Sequence, residues 1–408
     1  MINKTLDLIR GSLIGGAAGD ALGYTVEFDS YKEIVRTYGP AGITSYELQD
    51  GYALVSDDTQ MTLFTANGLL MGLTRRYMRG IGRAPQFYVQ YAYQDWYHTQ
   101  HSSFDSRMKD DNYRYTWLSA IPELYALRAP GNTCLSAISD MIQGKTPQNN
   151  SKGCGGVMRI APWPLFCAAH DVRYTTEQID VAGGEIARIT HKHPLGWMPA
   201  IVLTHIIYRL VKDNPLNGLQ GDAAREAFAS IVKEAIRVLP SLKVAEPVSA
   251  LTWDGDKTLD EAFHNDVKRQ TELLERALLL AERQEGSDVV NIMKLGEGWV
   301  GEEALAIAVF AVTRHIDSFA DVLIAAVNHD GDSDSTGAVA GNIMGAIIGY
   351  EAIPDKFKQN LELKDIILTI ADDLHQGCII SESAERNTPE KQQWHERYWE
   401  MRPAGITV

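Results

Sequence analysis

The sequence predicts an all-α fold, because helical periodicity dominates the chain and patterns typical of strands are missing. Apolar residues recur every three or four positions from Thr258 to Gln284, which is the spacing of one face of an amphipathic helix. Alternating polar and apolar runs, and strands alternating with helices, are not found, so repeated βαβ units are not expected. Gly39-Pro40, Pro130-Gly131 and Pro240 mark loops and not domain linkers.

Further helices are predicted along the chain from the same periodicity. They cover a Gly- and Ala-rich segment at 11–23, a segment with Val202, Ile206 and Leu210 on one face, residues 302–312, a second small-residue segment at 337–349, and residues 363–374. The stretch from Arg75 to Tyr115 is rich in arginine and aromatic residues and is less clearly periodic.

The two small-residue segments resemble each other, since each repeats glycine at intervals of about four residues. Glycine inside a helix costs roughly 1 kcal/mol relative to alanine, so its repetition indicates that two helix backbones approach closely. We therefore expect these helices to pack against each other in the core. This packing would bring the acidic cluster before Gly337 beside the segment that leads to Glu27.

Composition narrows the class of protein. The chain has 408 residues, 45% of them hydrophobic, and a net charge of −15, which argues against general nucleic-acid binding and against docking on anionic membranes. Four cysteines without a Cys-x-x-Cys pair fit a reducing compartment. No signal peptide is apparent, and the apolar runs at 304–312 and 337–350 are shorter than the ~20 residues that span a bilayer. A cytoplasmic, monomeric protein is expected.

Two acidic clusters carry the clearest chemistry. The first is Ser56-Asp57-Asp58-Thr59-Gln60, and the second runs from Asp330 to Gly337. Carboxylates alternating with hydroxyls suit Mg²⁺, Mn²⁺ or Ca²⁺. Alone, the first cluster is better explained as a helix cap, with Asp57 and Gln60 as a capping box. In the second, three aspartates in five residues repel one another and require a cation.

An EF-hand does not explain the second cluster. Its sixth position should be glycine and is Ser335, and its twelfth should be glutamate and is Gly341. If folding brings the two clusters together, they can instead hold a two-metal centre.

Five motifs in order resemble the ADP-ribosylglycohydrolase family over nearly the whole chain, from Leu13 to Pro354. They are Gly19-Asp20-Ala21-Leu22-Gly23 with Glu27, Ser56-Asp57-Asp58-Thr59, Gly153-Cys154-Gly155-Gly156-Val157-Met158-Arg159, Thr190-His191-Lys192-His193-Pro194, and Gly331-Asp332-Ser333-Asp334-Ser335-Thr336-Gly337. The resemblance implies a single domain over residues 1–408, built as a compact orthogonal multi-helix bundle with a binuclear Mg²⁺ or Mn²⁺ cleft. It also implies hydrolysis of the glycosidic bond between ADP-ribose and a modified residue, with arginine the expected one, or a small-molecule ADP-ribose conjugate.

The resemblance also implies roles for particular residues. The implied metal ligands are Ser56, Asp57, Asp58, Asp332, Asp334 and Ser335, and Glu27 is the implied acid–base residue. The implied substrate-binding residues are Gly153, Cys154, Gly155, Gly156, Val157 and Met158. Lys152 is a candidate for a phosphate contact, and His191 for one near the adenosine, although a buried structural histidine is the default. Cys154 stands where family members often carry asparagine.

Several alternatives stay open at this stage. Arg159 is expected in a structural ion pair, Trp299 lines either the cleft or the core, and Asp105 is the next carboxylate to consider if Glu27 fails. The linkage that is cleaved is undetermined among arginine, serine, a base and O-acetyl-ADP-ribose. A non-catalytic ADP-ribose-binding protein is the competing function. An isoprenoid synthase is rejected because Met61 stands where its third aspartate would be.

Overall fold

The computed structural model describes residues 3–109, 114–170, 172–241, 259–382 and 388–402. Within these ranges the chain forms seventeen α-helices and no β-sheet, so the predicted all-α class is confirmed. The helices are α1 (Lys4–Tyr24), α2 (Tyr31–Tyr38), α3 (Asp57–Arg79), α4 (Pro85–His101), α5 (Phe104–Met108), α6 (Asn132–Ile142), α7 (Pro162–Ala169), α8 (Thr176–Ala187), α9 (Pro194–Lys212), α10 (Gly221–Val238), α11 (Leu259–Glu282), α12 (Asp288–Ile292), α13 (Gly301–Arg314), α14 (Phe319–Val327), α15 (Ser333–Ile348), α16 (Lys364–Gln376) and α17 (Pro389–Tyr398).

The predicted helices are found close to their expected bounds. The amphipathic segment predicted from Thr258 is α11, with Val267, Leu274 and Leu278 buried on its inner face; Thr258 itself lies outside the described residues. The predicted helices at 302–312 and 363–374 are α13 and α16. The less periodic stretch from Arg75 to Tyr115 contains the end of α3, all of α4 and the short α5.

Helices α1 and α15 pack backbone against backbone, as the small-residue segments predict. A Cβ atom placed on Gly15, Gly19 or Gly23 would clash with the main-chain oxygen of Gly341, Gly337 or Ser333, respectively. The same holds in reverse for Cβ atoms on the glycines of α15. Because Gly11 faces Gly345 and Gly23 faces Ser333, the helices run antiparallel, and the end of α1 lies beside the start of α15.

The centre of the fold is strongly apolar. In α13, every residue from Ala304 to Val312 is buried, and α9 is almost as enclosed. Among the described residues α9 is the single helix whose length and composition would suit a membrane span, but 89% of its most apolar window is buried within the protein. His205 and Arg209 interrupt the apolar sequence of this helix, so α9 contains no long uninterrupted apolar run.

The glycine contact between α1 and α15 gives a testable expectation for stability. Gly19→Ala should lower the free energy of unfolding by about 3 kcal/mol or more, because its methyl group meets rigid main chain that no rotamer change can move. Chemical denaturation would measure the change. Gly82→Ala is the matched control, since its nearest neighbour is the flexible Arg76 side chain at 3.4 Å, and it should leave stability within about 1 kcal/mol. Equal effects of the two substitutions would contradict the close packing.

Candidate active site

The two acidic clusters meet inside the protein. Asp57 and Asp58 occupy the buried first turn of α3, and Asp332 and Asp334 lie buried at the start of α15. Burial, followed by the charge of Asp334, raises the pKa of Asp57, Asp58 and Asp332 well above the usual range. Carboxylates from both helix N-termini therefore share one region of low dielectric.

Asp20, near the end of α1, holds the start of α3 in place. Its carboxylate accepts hydrogen bonds from the backbone N–H groups of Ser56 at 2.9 Å and Thr59 at 3.0 Å, and from the Thr59 hydroxyl. Burial and the charge of Asp334 raise the pKa of Asp20 to about 7. The sequence alone predicts no role for Asp20. The signal that could have identified it is a lone acid within a helix of glycine and alanine.

The helix-cap interpretation of the first cluster is confirmed for Ser56 and wrong for the capping box. The Oγ atom of Ser56, the N-cap residue of α3, accepts a hydrogen bond from the Asp58 N–H at 3.2 Å. The Gln60 side chain instead donates to the Ala126 carbonyl at 3.2 Å and accepts from the Trp96 indole at 3.1 Å. The amide finds these partners in neighbouring segments, so capping leaves both aspartates available.

The second cluster is divided between two tasks. Asp332 is the N-cap of α15 and accepts a hydrogen bond from the Ser335 N–H at 3.2 Å, which Asp334 Oδ1 also accepts at 2.8 Å. Asp330 accepts from the Tyr31 N–H at 2.8 Å and so caps the first residue of α2. Because α15 begins at Ser333, no EF-hand loop forms here, and Asp330 lies apart from the carboxylates that face α3.

Glu27 points at the same group of acids. It lies in the turn after α1, is only 7% exposed, and its Oε2 has no hydrogen-bond partner in the described part of the chain. Burial first, and then the charges of Asp334, Asp332 and Asp57, raise its pKa to about 10. Its position on a turn beside the end of α1 agrees with the sequence prediction.

The donor set fits hard divalent cations. Asp58 Oδ2 is buried and has no hydrogen-bond partner among the described residues, and the surrounding groups are carboxylates and hydroxyls, which are the ligands that Mg²⁺ and Mn²⁺ prefer. The charge of Arg159 lowers the pKa of Asp57 but does not outweigh burial and the charge of Asp334, and its guanidinium donates to Cys134 Sγ at 3.1 Å and to Thr190. Within the described ranges, no three His, Cys, Asp or Glu side chains already form a metal-holding group, so the number and identity of the cations stay a prediction.

Arg159 itself differs from its expectation. It is fully buried over the Tyr93 ring, with 4.6 Å between the guanidinium carbon and the ring centroid, and the described residues give it no ion pair. The expected structural ion pair is therefore wrong, because sulfur and hydroxyl acceptors take its donors.

The glycine-rich loop touches the acidic group through Cys154. The Cys154 thiol donates to Asp332 Oδ2 at 2.8 Å, and the Ser335 hydroxyl donates to Cys154 Sγ at 3.5 Å. Lys152, Gly153 and Cys154 are partly exposed, whereas Gly155, Gly156, Val157 and Met158 are buried. The exposed beginning of the loop is therefore the part that a ligand can reach without rearrangement.

His191 lies beneath this loop. A Cβ atom on Gly155 would lie 2.8 Å from its Cε1 atom, so the glycine makes room for the imidazole. Burial and the charge of Arg159 lower the pKa of His191 to about 3, which keeps the ring neutral. The Lys152 carbonyl accepts from the Gly301 N–H at 2.8 Å, while its ammonium charge contributes, after burial, to lowering the pKa of His193. Substrate contacts of Lys152 and His191 remain predictions.

An exposed aromatic pair stands at the rim of the site. Phe28 is 73% exposed, Trp299 is 41% exposed, and their rings stack with centroids 6.1 Å apart. Phe28 follows Glu27, and the Trp299 carbonyl accepts from the Cys154 N–H at 3.3 Å, so the pair bridges the two loops beside the acids. Trp299 is thus a surface residue of the rim and not a core aromatic. Asp105 is exposed in α5, and no described contact links it to the acids.

Comparison with known proteins gives one family over almost the whole chain. The sequence profile described as ADP-ribosylglycohydrolase matches residues 1–383. The chain is 25% identical over 366 residues to ADP-ribosyl-[dinitrogen reductase] glycohydrolase of Rhodospirillum rubrum, covering 88% of this chain and 91% of that protein.

Other relatives and a solved structure agree with this match. Identity is 23% over 392 residues to ADP-ribosylhydrolase ARH3 of Homo sapiens (91% and 94% coverage) and 22% over 378 residues to ADP-ribosylarginine hydrolase Tri1 of Serratia proteamaculans (91% and 80%). A solved structure titled ADP-ribosylglycohydrolase-related protein complex superposes with a TM-score of 0.55 at 20% identity, covering 91% of this chain and 98% of that chain. At this identity the superposition supports the shared fold alone.

The buried acids predict how stability depends on pH and on divalent ions. Without metal, the raised pKa of Asp20 means that folding takes up protons. The contribution of protonated Asp20 to the free energy of unfolding is complete below the pKa of an unfolded aspartate, near ~4. It is lost as pH rises through about 7, the pKa of Asp20 in the folded protein. We expect the Tm of the metal-free protein to decrease as the pH is raised from 5 to 8. At pH 8, saturating Mg²⁺ should raise the Tm by about 2 °C or more. Scanning calorimetry with EDTA or Mg²⁺ measures both effects.

Asp334→Asn separates the acidic group from global pH effects. Removing this charge relieves the repulsion on Asp20, Glu27 and Asp58, so the metal-free variant should melt above the wild-type protein at pH 8 and gain less from Mg²⁺. Asp355→Asn, at an exposed residue paired with Lys358, should respond to Mg²⁺ as the wild-type protein does. An equal rise for wild type and Asp334→Asn would rule out a metal site here.

Proposed function

The chain belongs to the ADP-ribosylglycohydrolase family, and from this premise we propose that it is a metal-dependent hydrolase of the glycosidic bond between ADP-ribose and a modified residue. One observation carries the proposal: acids that are far apart in sequence, in the turn after α1 and at the starts of α3 and α15, converge in one buried region. Structural carboxylates are normally paired or exposed, whereas Asp58 Oδ2 and Glu27 Oε2 are neither within the described chain. Such an arrangement is typical of catalytic sites.

The cations, two Mg²⁺ or Mn²⁺ ions in this proposal, would be held by Ser56, Asp57, Asp58, Asp332, Asp334 and Ser335. When bound, they would supply Lewis-acid polarisation of the ribose hydroxyls and of water. The protein's contribution is to present the oxygen ligands from two helix N-termini that are fixed by Asp20 and by the α1–α15 contact.

Glu27 is proposed as the residue that moves the proton. Hydrolysis needs an acid to protonate the leaving group or a base to take a proton from water. Glu27 suits either role, because its carboxyl group faces the acids and it lies in a turn outside the helices. The buried aspartates are committed to helix caps and to the proposed cations, which leaves Glu27 as the carboxyl group available for proton transfer.

The beginning of the glycine-rich loop is proposed to hold the ADP-ribose moiety. Lys152, Gly153 and Cys154 are partly exposed beside Asp332 and Ser335, so diphosphate bound there would bring the ribose next to the acids. Main-chain N–H groups of such loops are suitable donors to phosphate oxygens. Gly155 to Met158 and His191 would support this segment from beneath and contact the ligand after a small local movement.

Arginine is the proposed acceptor residue. A relative named ADP-ribosylarginine hydrolase covers most of the chain, and the exposed Phe28–Trp299 pair beside Glu27 gives the leaving group an aromatic surface. A guanidinium group stacks on aromatic faces and gains cation–π energy there, whereas a serine side chain does not. The expected partner is therefore an arginine-ADP-ribosylated protein.

Replacing Glu27 tests the proposed chemistry. Glu27→Gln keeps the shape of the side chain but cannot transfer a proton, so turnover of ADP-ribosylarginine should fall ~100-fold or more, while calorimetry should show ADP-ribose binding within about threefold of wild type. Glu226→Gln, on the exposed face of α10, is the matched control. Near-normal turnover in Glu27→Gln would move the acid–base role to another carboxyl group. Binding of ADP-ribose by the wild-type protein without turnover of any linkage would favour the non-catalytic alternative.

Replacing the aromatic pair tests the proposed linkage. Phe28→Ala combined with Trp299→Ala should raise KM for an ADP-ribosylarginine peptide about fivefold or more, the factor for roughly 1 kcal/mol of cation–π contact. The KM for an ADP-ribosylserine peptide should not change. Phe28→Tyr alone, which keeps an aromatic ring, should leave the KM for the arginine peptide near the wild-type value. Tyr52→Ala removes an aromatic ring of similar exposure elsewhere and serves as the control. An equal effect on both linkages would contradict recognition of the guanidinium group.

A further inference from the structure

A second cavity lies at the opposite end of α3 from the acids. It has a volume of about 1240 Å³, is open to solvent on one side, and is lined by the C-terminal part of α3, the start of α4, α7 with the segment after it, and the end of α16. From Asp57 to Arg76 the helix advances about 28 Å at 1.5 Å per residue, so this cavity is separate from the proposed active site. It is larger than the pockets of ~300–1000 Å³ that usually hold small molecules.

The charge of the cavity is opposite to that of the chain. Arg76, Arg83 and Arg173 line it, and no described aspartate or glutamate does, although the chain carries a net charge of −15. None of the three arginines forms an ion pair with another described residue, unlike the neighbouring Arg79, which pairs with Glu382. All three side chains are exposed, and the Arg83 guanidinium lies over the Phe87 ring with 4.1 Å between its carbon and the ring centroid. Arginine side chains that line one cavity without carboxylate partners among the described residues are well suited to bind phosphate groups by paired hydrogen bonds.

Aromatic rings supply the other half of the lining. Tyr77 and Tyr174 are 54% and 49% exposed, while Trp163, Phe166 and Tyr88 form buried walls. The rings of Trp163 and Tyr174 have centroids 6.4 Å apart, so the exposed tyrosine continues the buried aromatic wall outward. Exposed rings beside cationic groups provide stacking surfaces for nucleobases.

We propose that this cavity is a second ligand site, which binds a nucleotide with two or more phosphate groups. The arginines would take the phosphates, and Tyr77 or Tyr174 would stack on the base. An acidic peptide would satisfy the arginines but would leave the aromatic wall unused. A mononucleotide needs only the residues that line this cavity, whereas a nucleic-acid strand would need a basic track continuing beyond it.

Binding of fluorescent mant-ATP, in EDTA and at low ionic strength, tests the site directly. The wild-type protein should bind mant-ATP with micromolar affinity, and Arg76→Ala combined with Arg173→Ala should weaken binding about tenfold or more. Lys152→Ala, in the loop of the proposed active site, should leave mant-ATP binding unchanged, whereas nucleotide held at the active site would be bound more weakly by this variant. Arg79→Ala, on the same helix but paired with Glu382, should bind as the wild-type protein does. Undetectable wild-type binding at millimolar nucleotide, or equal losses in Arg79→Ala, would overturn the proposal.

Two competitors separate base recognition from simple attraction of anions. Unlabelled ATP should displace mant-ATP at least about tenfold better than inorganic tripolyphosphate, and Tyr77→Ala combined with Tyr174→Ala should abolish that preference. Equal competition by ATP and tripolyphosphate would show that the site binds anions without recognising the base, which would overturn the nucleotide assignment. Much tighter binding of a single-stranded oligonucleotide than of ATP would instead identify a nucleic-acid surface and would also overturn it.

Discussion

The main-chain contact between α1 and α15 is the constraint on which the site depends. Glycine on both helices lets the backbones touch over about three turns, from Gly11 to Gly23 on one side and from Gly345 to Ser333 on the other. Two ordinary helices pack with axes 8–10 Å apart, and side chains between them would separate the end of α1 from the start of α15. The close contact instead brings Asp20 and Glu27 into the electrostatic range of Asp334.

This arrangement creates an electrostatic conflict that the protein alone does not resolve. The N-termini of α3 and α15 favour acidic residues in their first turns, but by only about 0.3–1 kcal/mol per charge. One pKa unit corresponds to ~1.4 kcal/mol, and the pKa of Asp20 lies near 7 against an ordinary value of ~4. Repulsion and burial therefore outweigh the helix dipoles. Protons or cations must supply the difference, which couples folding of this region to the ligand it is proposed to hold.

Much of the fold could be predicted from local sequence, because each successful prediction depended on one segment or on a repeated pattern. The periodicity of α11 and α13 and the glycine repeats are of this kind. The errors concern side chains whose hydrogen-bond partners lie far away in the sequence and are brought close only by folding. Gln60 finds Trp96 and Ala126 instead of a capping box, Asp330 turns to Tyr31, and Arg159 is held by sulfur and hydroxyl groups. Asp20 was passed over for the same reason, since its partners begin 36 residues further along the chain.

Helix α3 carries charges of opposite sign at its two ends. Its first turn carries Asp57 and Asp58, and its last turn carries Arg76 and Arg79, so each charge lies at the end where the helix dipole favours it. The same segregation gives the protein an acidic region suited to cations at one end and an arginine-lined cavity suited to anions at the other. The described Gly68 and Gly72 lie between them, where α3 packs closely on Val89 and Tyr88 of α4. Because Tyr88 also lines the cavity, a ligand that shifts α4 there would press on the middle of the helix that positions the acids. The α3–α4 contact is therefore one physical route between the two sites, beside the contacts of α7 and α16 with α1 and α3.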